Sequence, residues 1–306
     1  MTRILITGAS GLLGINLALE IAKHHTVFGV VNRHSLKTSA FEVLKADLLR
    51  PGALENVLEV TRPDWVIHCA ALANLEACKQ DPVLAARLNT ELPEKLATLV
   101  ARSGARLIHV STDAVFDGKR GDYSEDDAPN PINIYARTKL DGELAVRQAN
   151  PQAIIARVNL FGWSLSGKRS LAEFFYYKLS AGERVNGFTD VFFCPLLVNH
   201  MAGVFLAMLE KGLSGLYHVV NRDCLTKYDF GLAIASKFRL DGALIKPVSV
   251  LASGLQAPRS PRLTLRVDKL EHDLGVVLPG IDSGIDEFYR LHTIAYPQRL
   301  FAMAAA

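Results

Sequence analysis

A chain of 306 residues, of which 49% are hydrophobic and 21% are charged, can bury one large core or two smaller ones, which excludes disordered and collagen-like proteins. Its formal net charge is only +3, and no run of Lys and Arg is interleaved with aromatic residues, so nucleic acid is not expected as a partner. No apolar run approaches the roughly 20 residues of a membrane span and the N-terminus does not resemble a signal peptide, so we expect a cytoplasmic protein without membrane attachment.

The cysteines and histidines indicate neither a disulfide framework nor a metal site. The four cysteines and nine histidines contain no C-x-x-C or H-E-x-x-H spacing. His68 and His218 lie in apolar surroundings, which is more typical of core histidines than of metal ligands. No metal is predicted, and we expect all four cysteines to be reduced, namely Cys69, Cys78, Cys194 and Cys224.

The first half of the chain alternates apolar runs with helical patterns. Short Val- and Ile-rich runs predict strands at 3–7, 26–31, 41–46, 64–70, 106–111 and 153–158. Between them, helical periodicity lies near 12–23, 52–60, 81–102 and 132–149. This alternation predicts an α/β fold with a Rossmann-type doubly wound parallel sheet over residues 1–160. The less regular remainder, 161–306, predicts a smaller C-terminal α/β substrate-binding region, with some segments returning to the first sheet.

Three glycines stand where the first strand meets the first helix. Gly8, Gly11 and Gly14 need a structural reason, because glycine inside an element costs about 0.5–1 kcal/mol relative to alanine. A tight strand-to-helix turn would be one reason. The other is dinucleotide binding, in which backbone N–H groups at the helix N-terminus face a pyrophosphate. The position of the glycines after the first of several alternating strands favours dinucleotide binding.

The end of the second strand indicates which dinucleotide is bound. A carboxylate there would accept a hydrogen bond from the ribose 2′-hydroxyl of NAD, but the chain has Asn32 followed by Arg33. Arg33 can pair with a 2′-phosphate, which favours NADP, as NADPH, over NAD. The alternative is an ordinary exposed arginine after a strand.

Two segments further along the chain carry residues suited to proton transfer. "STDAVFDG" (111–118) ends the fifth strand, and "YARTK" (135–139) places Tyr135 and Lys139 four residues apart on one helix face. A free phenol has a pKa of about 10, and the Lys139 ammonium together with a cationic nicotinamide could lower the pKa of Tyr135 toward neutrality. The alternatives are a packed tyrosine beside a solvated lysine, and a turn or capping role for Thr112 and Asp113.

These segments resemble the extended short-chain dehydrogenase/reductase superfamily and, within it, the dTDP-4-dehydrorhamnose reductase family. The resemblance rests on "TGASGLLG" (7–14), "DWVIHCAALANLEACKQDP" (64–82), "STDAVFDG", "YARTKLDGE" (135–143) and "APRSPRLTLRVDKLE" (257–271). It implies that Thr112 lies beside the substrate carbonyl, that Tyr135 donates the proton, and that Lys139 holds the nicotinamide ribose. The cofactor residues that it implies are Gly8, Ser10, Gly11, Leu12, Leu13, Gly14, Asn32, Arg33, Asp47, Leu48, Cys69, Ala70, Ala71, Tyr135 and Lys139. The implied substrate residues are Thr112, Asp113, Asn159 and Arg259.

The "RVNLFG" segment (157–162) departs from the family pattern. Reductases of this family often carry a tryptophan there, against the sugar, whereas this chain has Leu160 and Phe161, with Trp163 beyond the glycine. Because of this departure the identity of the sugar stays open, whereas the expected reaction type is less affected.

The resemblance implies an NADPH-dependent reductase that acts on a keto group of a nucleotide-linked deoxysugar. An epimerase or dehydratase of the same superfamily is one alternative, but dehydratases carry an acidic pair after the threonine and this chain has Asp113 followed by Ala114. A non-catalytic regulatory subunit that binds NADP, like the beta subunit of methionine adenosyltransferase, is another. The presence of Thr112, Tyr135 and Lys139 together argues against it.

Two further expectations concern binding surfaces. Cations after Gly162 are expected to hold the substrate diphosphate, and the candidates are Lys168, Arg169, Arg259 and Arg262. The alternative for each is an ordinary solvated surface charge, and Arg259 is preferred because the resembled family has an arginine in a comparable proline-containing segment. Extended members of the superfamily commonly pair through two helices, so a homodimer is expected through the helices at 81–102 and 132–149.

Overall fold

The computed structural model describes residues 1–252 and 260–304. The strands are β1 (Arg3–Thr7), β2 (Thr26–Val31), β3 (Glu42–Lys45), β4 (Trp65–His68), β5 (Arg106–Thr112), β6 (Ile154–Val158), β7 (Leu160–Phe161), β8 (Val185–Phe188), β9 (Phe192–Phe193), β10 (Leu196–Leu197), β11 (Gly215–Val219), β12 (Leu225–Thr226), β13 (Ile245–Val248) and β14 (Arg262–Leu263). The α-helices are α1 (Leu12–Ile21), α2 (Ala53–Thr61), α3 (Leu75–Gln80), α4 (Pro82–Ala86), α5 (Leu92–Ser103), α6 (Ile134–Ala149), α7 (Leu171–Ser180), α8 (Val198–Glu210), α9 (Lys227–Phe238), α10 (Asp268–Leu274), α11 (Ile281–Thr293) and α12 (Tyr296–Met303).

A seven-stranded parallel sheet in the order β11-β6-β5-β4-β1-β2-β3 forms the centre of the fold. Side chains alternate between its faces, so that Leu5 and Ile6 belong to separate cores above and below the sheet. The predicted Rossmann-type α/β fold is confirmed, and the first six strands begin and end within two residues of their predicted bounds. Strand β11, which pairs with β6, returns to this sheet from the C-terminal half of the chain.

The helix predicted over 81–102 is interrupted. α4 is followed by a π-helical turn, Arg87–Glu91, before α5 begins. Helix α6 approaches this turn so closely that a Cβ on Gly142 would lie 2.1 Å from the carbonyl oxygen of Asn89. The Asn89 side chain accepts a hydrogen bond from Leu72 N and donates to Leu72 O and Thr138 Oγ1. The wide turn therefore connects the loop after β4 to the helix that carries Tyr135.

The C-terminal half forms small sheets packed against α7, α9 and α11. In one of them, β9 pairs antiparallel with β12, with Phe193 opposite Leu225. The residue after Phe193 and the residue before Leu225 are therefore neighbours. These are Cys194 and Cys224, which form a disulfide with their Cα atoms 4.2 Å apart. The expectation of four reduced cysteines is thus wrong for this pair, whose 30-residue separation gave no local signal.

Within the parts of the chain that the structure describes, no helix is both long enough and apolar enough to cross a membrane.

Candidate active site

The turn between β1 and α1 can be made only with glycine. Gly8 has φ +69°, and a Cβ on Gly14 would lie 2.3 Å from the Gly8 carbonyl oxygen. Gly11 is the N-cap of α1 and provides no side-chain hydrogen bond to the first turn. The N–H groups at the start of α1 therefore have no side-chain cap, and this arrangement fits the pyrophosphate of a dinucleotide.

Two cavities meet at this turn. The first, here called the β2 cavity, has a volume of about 250 Å³ and is lined by Gly8, Ser10, Gly11, Val30, Val31, Asn32, His34, Ala46, Asp47, Leu48, Cys69, Ala70, Ala71, Leu88, Leu92 and Arg169. The second, the central cavity, has a volume of about 390 Å³ and is lined by Gly8, Gly11, Leu12, Leu13, Gly14, Cys69, Ala71, Ala73, Val110, Ser111, Thr112, Asp113, Tyr135, Lys139, Val158, Asn159, Leu160 and Arg169. Together they form a groove along the carboxyl ends of the strands, where β1 and β4 lie side by side.

The residues that sequence reasoning assigned to the cofactor lie along this groove, with one exception. Arg33 is exposed and is not among the residues that line either cavity, whereas Asn32 and His34 on either side of it line the β2 cavity. The position of a side chain after a strand end depends on the loop that follows, which the strand pattern does not determine. His34 and Arg169 were not assigned to the cofactor from the sequence.

Tyr135 and Lys139 reach the central cavity from the first two turns of α6. The helix begins after Asn133, whose Oδ1 accepts from Ala136 N at 2.8 Å. Lys139 Nζ donates to the Val110 carbonyl oxygen at 2.7 Å. Burial lowers the pKa of Lys139 to about 8, and the Glu143 carboxylate opposes this shift.

The phenol of Tyr135 holds its proton in this structure. Burial raises the pKa of Tyr135 to about 12, a hydrogen bond with Thr112 opposes the shift, and the Asp113 carboxylate adds to it. Lys139 does not offset this shift, because its ammonium is directed to a backbone carbonyl. The expected lowering of the pKa of Tyr135 requires Lys139 together with a cationic nicotinamide, and it stays a prediction for the chain with its cofactor bound. A neutral phenol is the protonation state that a proton donor requires.

Asp113 is buried beside these groups. Its Oδ2 accepts from Asn159 Nδ2 at 2.5 Å, and its Oδ1 accepts from Thr112 Oγ1 at 3.1 Å. Burial raises the pKa of Asp113 to about 6, although both hydrogen bonds lower it. The two roles considered for Asp113, substrate contact and loop support, are both compatible with this position, since the residue lines the central cavity and bonds its neighbours.

A third cavity, here called the outer cavity, continues from the central one. It has a volume of about 360 Å³ and shares Ala73, Tyr135, Asn159 and Leu160 with the central cavity. Its wall includes Val191, Phe192, Phe193 and Lys227, none of which the sequence indicated as site residues. The apolar run at 191–198, which contains an aromatic pair and then a proline, is the one local signal for this wall.

The structure separates the cations expected at the substrate diphosphate. Arg262 places its guanidinium 5.8 Å from the centroid of the Phe192 ring, which lines the outer cavity. Lys168 is exposed and lines none of the three cavities, while Arg169 lines the β2 and central cavities. Arg259 lies outside the described residues.

Trp163 is a core residue in this structure. It is fully buried, its ring stacks on Phe288 with centroids 4.0 Å apart, and its Nε1 donates to the Phe288 carbonyl oxygen at 3.0 Å. Leu160 is the residue of this segment that lines the central and outer cavities. Trp163 therefore does not replace the tryptophan that the family pattern places against the sugar.

Below α6 the sheet carries polar side chains. Arg157 Nη2 lies 2.8 Å from Oε2 of Glu143, and Ser111 Oγ donates to the same carboxylate at 2.5 Å. His68 and His109 stack on each other with ring centroids 5.6 Å apart, and burial lowers the pKa of His68 to about 3. Both histidines are therefore neutral core residues, as the sequence indicated for His68.

A larger cavity, of about 800 Å³, lies away from these groups, between α6 and the edge strand β11. It is lined by residues such as Leu144, Arg147 and Lys269, and it contains none of the side chains discussed above. Lys269 Nζ is bonded to the Leu216 carbonyl oxygen of the sheet edge at 2.8 Å. We therefore place the candidate active site in the three connected cavities.

Comparison with known proteins identifies the family. The family profile described as the RmlD substrate binding domain matches residues 1–293. The chain belongs to this family. The resemblance to extended short-chain dehydrogenases/reductases of the dTDP-4-dehydrorhamnose reductase type is thereby confirmed.

The relatives of this RmlD-family chain include proteins with different names. A probable low-salt glycan biosynthesis reductase, Agl14, from Haloferax volcanii is 32% identical over 286 residues, covering 92% of this chain and 95% of the relative. Methionine adenosyltransferase 2 subunit beta from Xenopus laevis is 34% identical over 279 residues, covering 88% and 81%. The crystal structure of a hypothetical dTDP-4-dehydrorhamnose reductase from Sulfolobus tokodaii superimposes with a TM-score of 0.81 at 29% identity, covering 93% and 98%.

Proposed function

We propose that the chain is an NADPH-dependent reductase acting on a keto group of a nucleotide-linked deoxysugar. The observation that carries this proposal is the position of Thr112, Tyr135 and Lys139 on one cavity, the central one. That cavity meets the glycine turn on one side and the outer cavity on the other. A dinucleotide groove, a proton donor and room for a substrate therefore lie in one continuous space.

The residues present can carry out a carbonyl reduction. A nicotinamide cofactor, when bound along the groove, supplies the hydride. Tyr135 supplies the proton to the carbonyl oxygen, so that the ketone takes up one hydride and one proton and leaves as an alcohol. Thr112 lies on the same cavity as Tyr135 and would contact the substrate carbonyl, and Lys139 would place a positive charge near the nicotinamide ribose.

The outer cavity suits the substrate class. Phe192 and Phe193 offer aromatic surface for a base or a sugar face, and Lys227 offers positive charge for a diphosphate. Ala114 lines the same cavity where a dehydratase would carry the second acid of its pair, which disfavours loss of water. The similar relative Agl14 is named as a reductase of glycan biosynthesis, which agrees with a sugar substrate.

A second candidate function is that of a subunit bound to another enzyme. It is favoured by the relatives named as subunit beta of methionine adenosyltransferase 2, which are as similar to this chain as the named reductase. On this alternative the groove would still take NADP, while the proton donor would be idle. Dinucleotide binding is therefore expected for both functions, whereas turnover of a sugar substrate is expected only for the reductase.

The experiment is an NADPH oxidation assay with the purified full chain. A panel of dTDP-, UDP- and GDP-linked 4-keto sugars is tested, and loss of NADPH absorbance with product alcohol detected by mass spectrometry is expected for at least one nucleotide. NADPH binding without oxidation by any panel member, together with co-purification of a second enzyme, would favour the subunit function. A parallel assay with NADH tests the proposed cofactor preference.

The homodimer through the segments 81–102 and 132–149 remains part of the proposal. In one chain α5 and α6 are already packed on each other, and Gly142 of α6 also approaches Asn89 in the π-helical turn before α5. The pairing surface would thus be the outward faces of these helices. Light scattering at micromolar concentration tests this, and a monomer mass would contradict it.

A further inference from the structure

Arg169 lies where the two cavities of the dinucleotide groove meet. The β2 cavity and the central cavity share five lining residues, which are Gly8, Gly11, Cys69, Ala71 and Arg169. The glycines mark the start of α1, where the backbone N–H groups face the groove. A dinucleotide that extends through both cavities has its pyrophosphate at this junction, because the pyrophosphate connects its two nucleoside halves.

The backbone of Arg169 is held by a buried carboxylate. Glu173, which is fully buried, accepts from Ser164 N at 2.6 Å, from Arg169 N at 2.9 Å and from Ser170 N at 3.1 Å. Ser170 Oγ caps the following helix through Glu173 N. The loop before α7 is therefore fixed at its base, and the exposed arginine side chain extends from a rigid support.

The guanidinium has no ionic partner among the residues that the structure describes. Arginines such as Arg157 and Arg266 form ion pairs with carboxylates, but no described carboxylate lies within ion-pair distance of Arg169. The lysine that lines this groove, Lys139, is buried at the far end and donates to a backbone carbonyl. An unpaired, rigidly supported guanidinium at the junction is suited to a doubly charged pyrophosphate.

We propose that Arg169 clamps the pyrophosphate of the bound dinucleotide, instead of the substrate diphosphate to which the sequence assigned it. The proposal rests on the dinucleotide binding of the proposed function, and it adds a contact made from the C-terminal half of the chain. The cofactor is then held between the glycine turn and the loop before α7. This contact does not distinguish NADPH from NADH, because both contain the pyrophosphate.

The test measures binding to the full chain without sugar substrate. Dissociation constants are determined by calorimetry for NADPH, NADH and ADP-ribose, which contain a pyrophosphate, and for adenosine 2′-monophosphate, which carries neither phosphate of the pyrophosphate. For Arg169→Ala we expect a loss of about 10- to 100-fold for all three pyrophosphate ligands, the range of one charge-assisted bond, and little change for the monophosphate. Arg169→Lys should lose less, because the charge is kept without the bidentate geometry.

The neighbouring residue is the matched control. Lys168 is exposed and lies outside the cavity linings, so Lys168→Ala should bind every ligand as the wild type does. The proposed role of Arg169 would be overturned if Arg169→Ala bound dinucleotides with unchanged affinity, or if only its KM for a nucleotide sugar rose. Neither result would contradict the proposed reductase function. A wild-type chain that binds no dinucleotide would overturn both.

Discussion

Asn159 donates a hydrogen bond from Nδ2 to Oδ2 of Asp113 at 2.5 Å, and both residues line the central cavity. This contact and the one from Thr112 stabilise the ionised form of a carboxylate that burial disfavours, and burial has the larger effect. With a pKa of about 6, Asp113 changes its charge in a range where most surface carboxylates are already ionised.

The first prediction concerns stability and pH. The pKa of Asp113 is about 6 in the folded chain against 3.8 for the unperturbed group, so the folded state binds the proton more tightly. The resulting stabilisation is fully present below pH 3.8 and is lost as pH rises through about 6, a difference of about 3 kcal/mol at most. Asp113→Asn does not titrate, so its free energy of unfolding should exceed that of the wild type by about 2–3 kcal/mol at pH 8.

Urea unfolding at pH 8 and at pH 4 checks this prediction. The advantage of Asp113→Asn over the wild type should shrink toward zero at pH 4. An equal difference between the two proteins at both pH values would show that the carboxylate is not the cause.

The second prediction concerns the buried ion pair beneath α6. Arg157→Met leaves the Glu143 carboxylate buried without its charged partner, which should lower the free energy of unfolding by about 3–5 kcal/mol. Arg157→Met combined with Glu143→Leu should recover most of this loss, because neither charge then remains buried. Denaturant unfolding of Arg157→Met, Glu143→Leu and the double variant measures the coupling energy between the two residues. If the losses of the two single variants simply add up in the double variant, the prediction is contradicted.

An exposed pair serves as the control. Lys95 and Glu55 approach to 2.6 Å at the surface, with about half of each side chain exposed. Lys95→Met should leave the stability nearly unchanged, because surface ion pairs are screened by solvent.

The third prediction concerns Lys139. Because its pKa is about 8 in the free protein, its positive charge is present below that pH and is lost above it. The affinity for the anionic cofactor should therefore fall by about tenfold between pH 7.5 and pH 9.5. Lys139→Met should bind more weakly at pH 7.5 and show a flat profile. If the affinity of the wild type for the cofactor did not vary with pH, the charge of Lys139 would not contribute to cofactor binding.

The fourth prediction concerns the choice of cofactor. If Arg33 pairs with the 2′-phosphate, Arg33→Ala should weaken NADPH binding by about 10- to 100-fold and hardly affect NADH. Since Arg33 is exposed and outside the cavity lining, the pairing requires its side chain to turn toward the β2 cavity. Titration of both dinucleotides checks this, and equal losses for the two would exclude a 2′-phosphate contact.

Local patterns in the sequence predicted the sheet and the groove. Strands such as β1 and β2 are short apolar runs between turns, and the glycines follow a strand because no other residue fits that turn. Tyr135 and Lys139 were assigned from their spacing and from the family resemblance, and the helix indeed places both on the central cavity.

Long-range packing determined what the sequence could not predict. The periodicity of 81–102 is that of one helix, and the interruption at Asn89 accompanies the close approach of Gly142. The Cys194–Cys224 bond depends on how β9 and β12 pair, and the position of Arg169 depends on a loop anchored by Glu173. None of these contacts has a periodic signal, because each joins residues brought together by the tertiary fold.

The most direct test of the reductase is the turnover of Tyr135→Phe on a nucleotide-linked keto sugar that the wild type reduces. The change removes one hydroxyl and leaves the ring, so NADPH affinity should remain close to that of the wild type. If Tyr135 donates the proton, kcat should fall by about 100-fold or more. Turnover by Tyr135→Phe at the wild-type rate would contradict the mechanism.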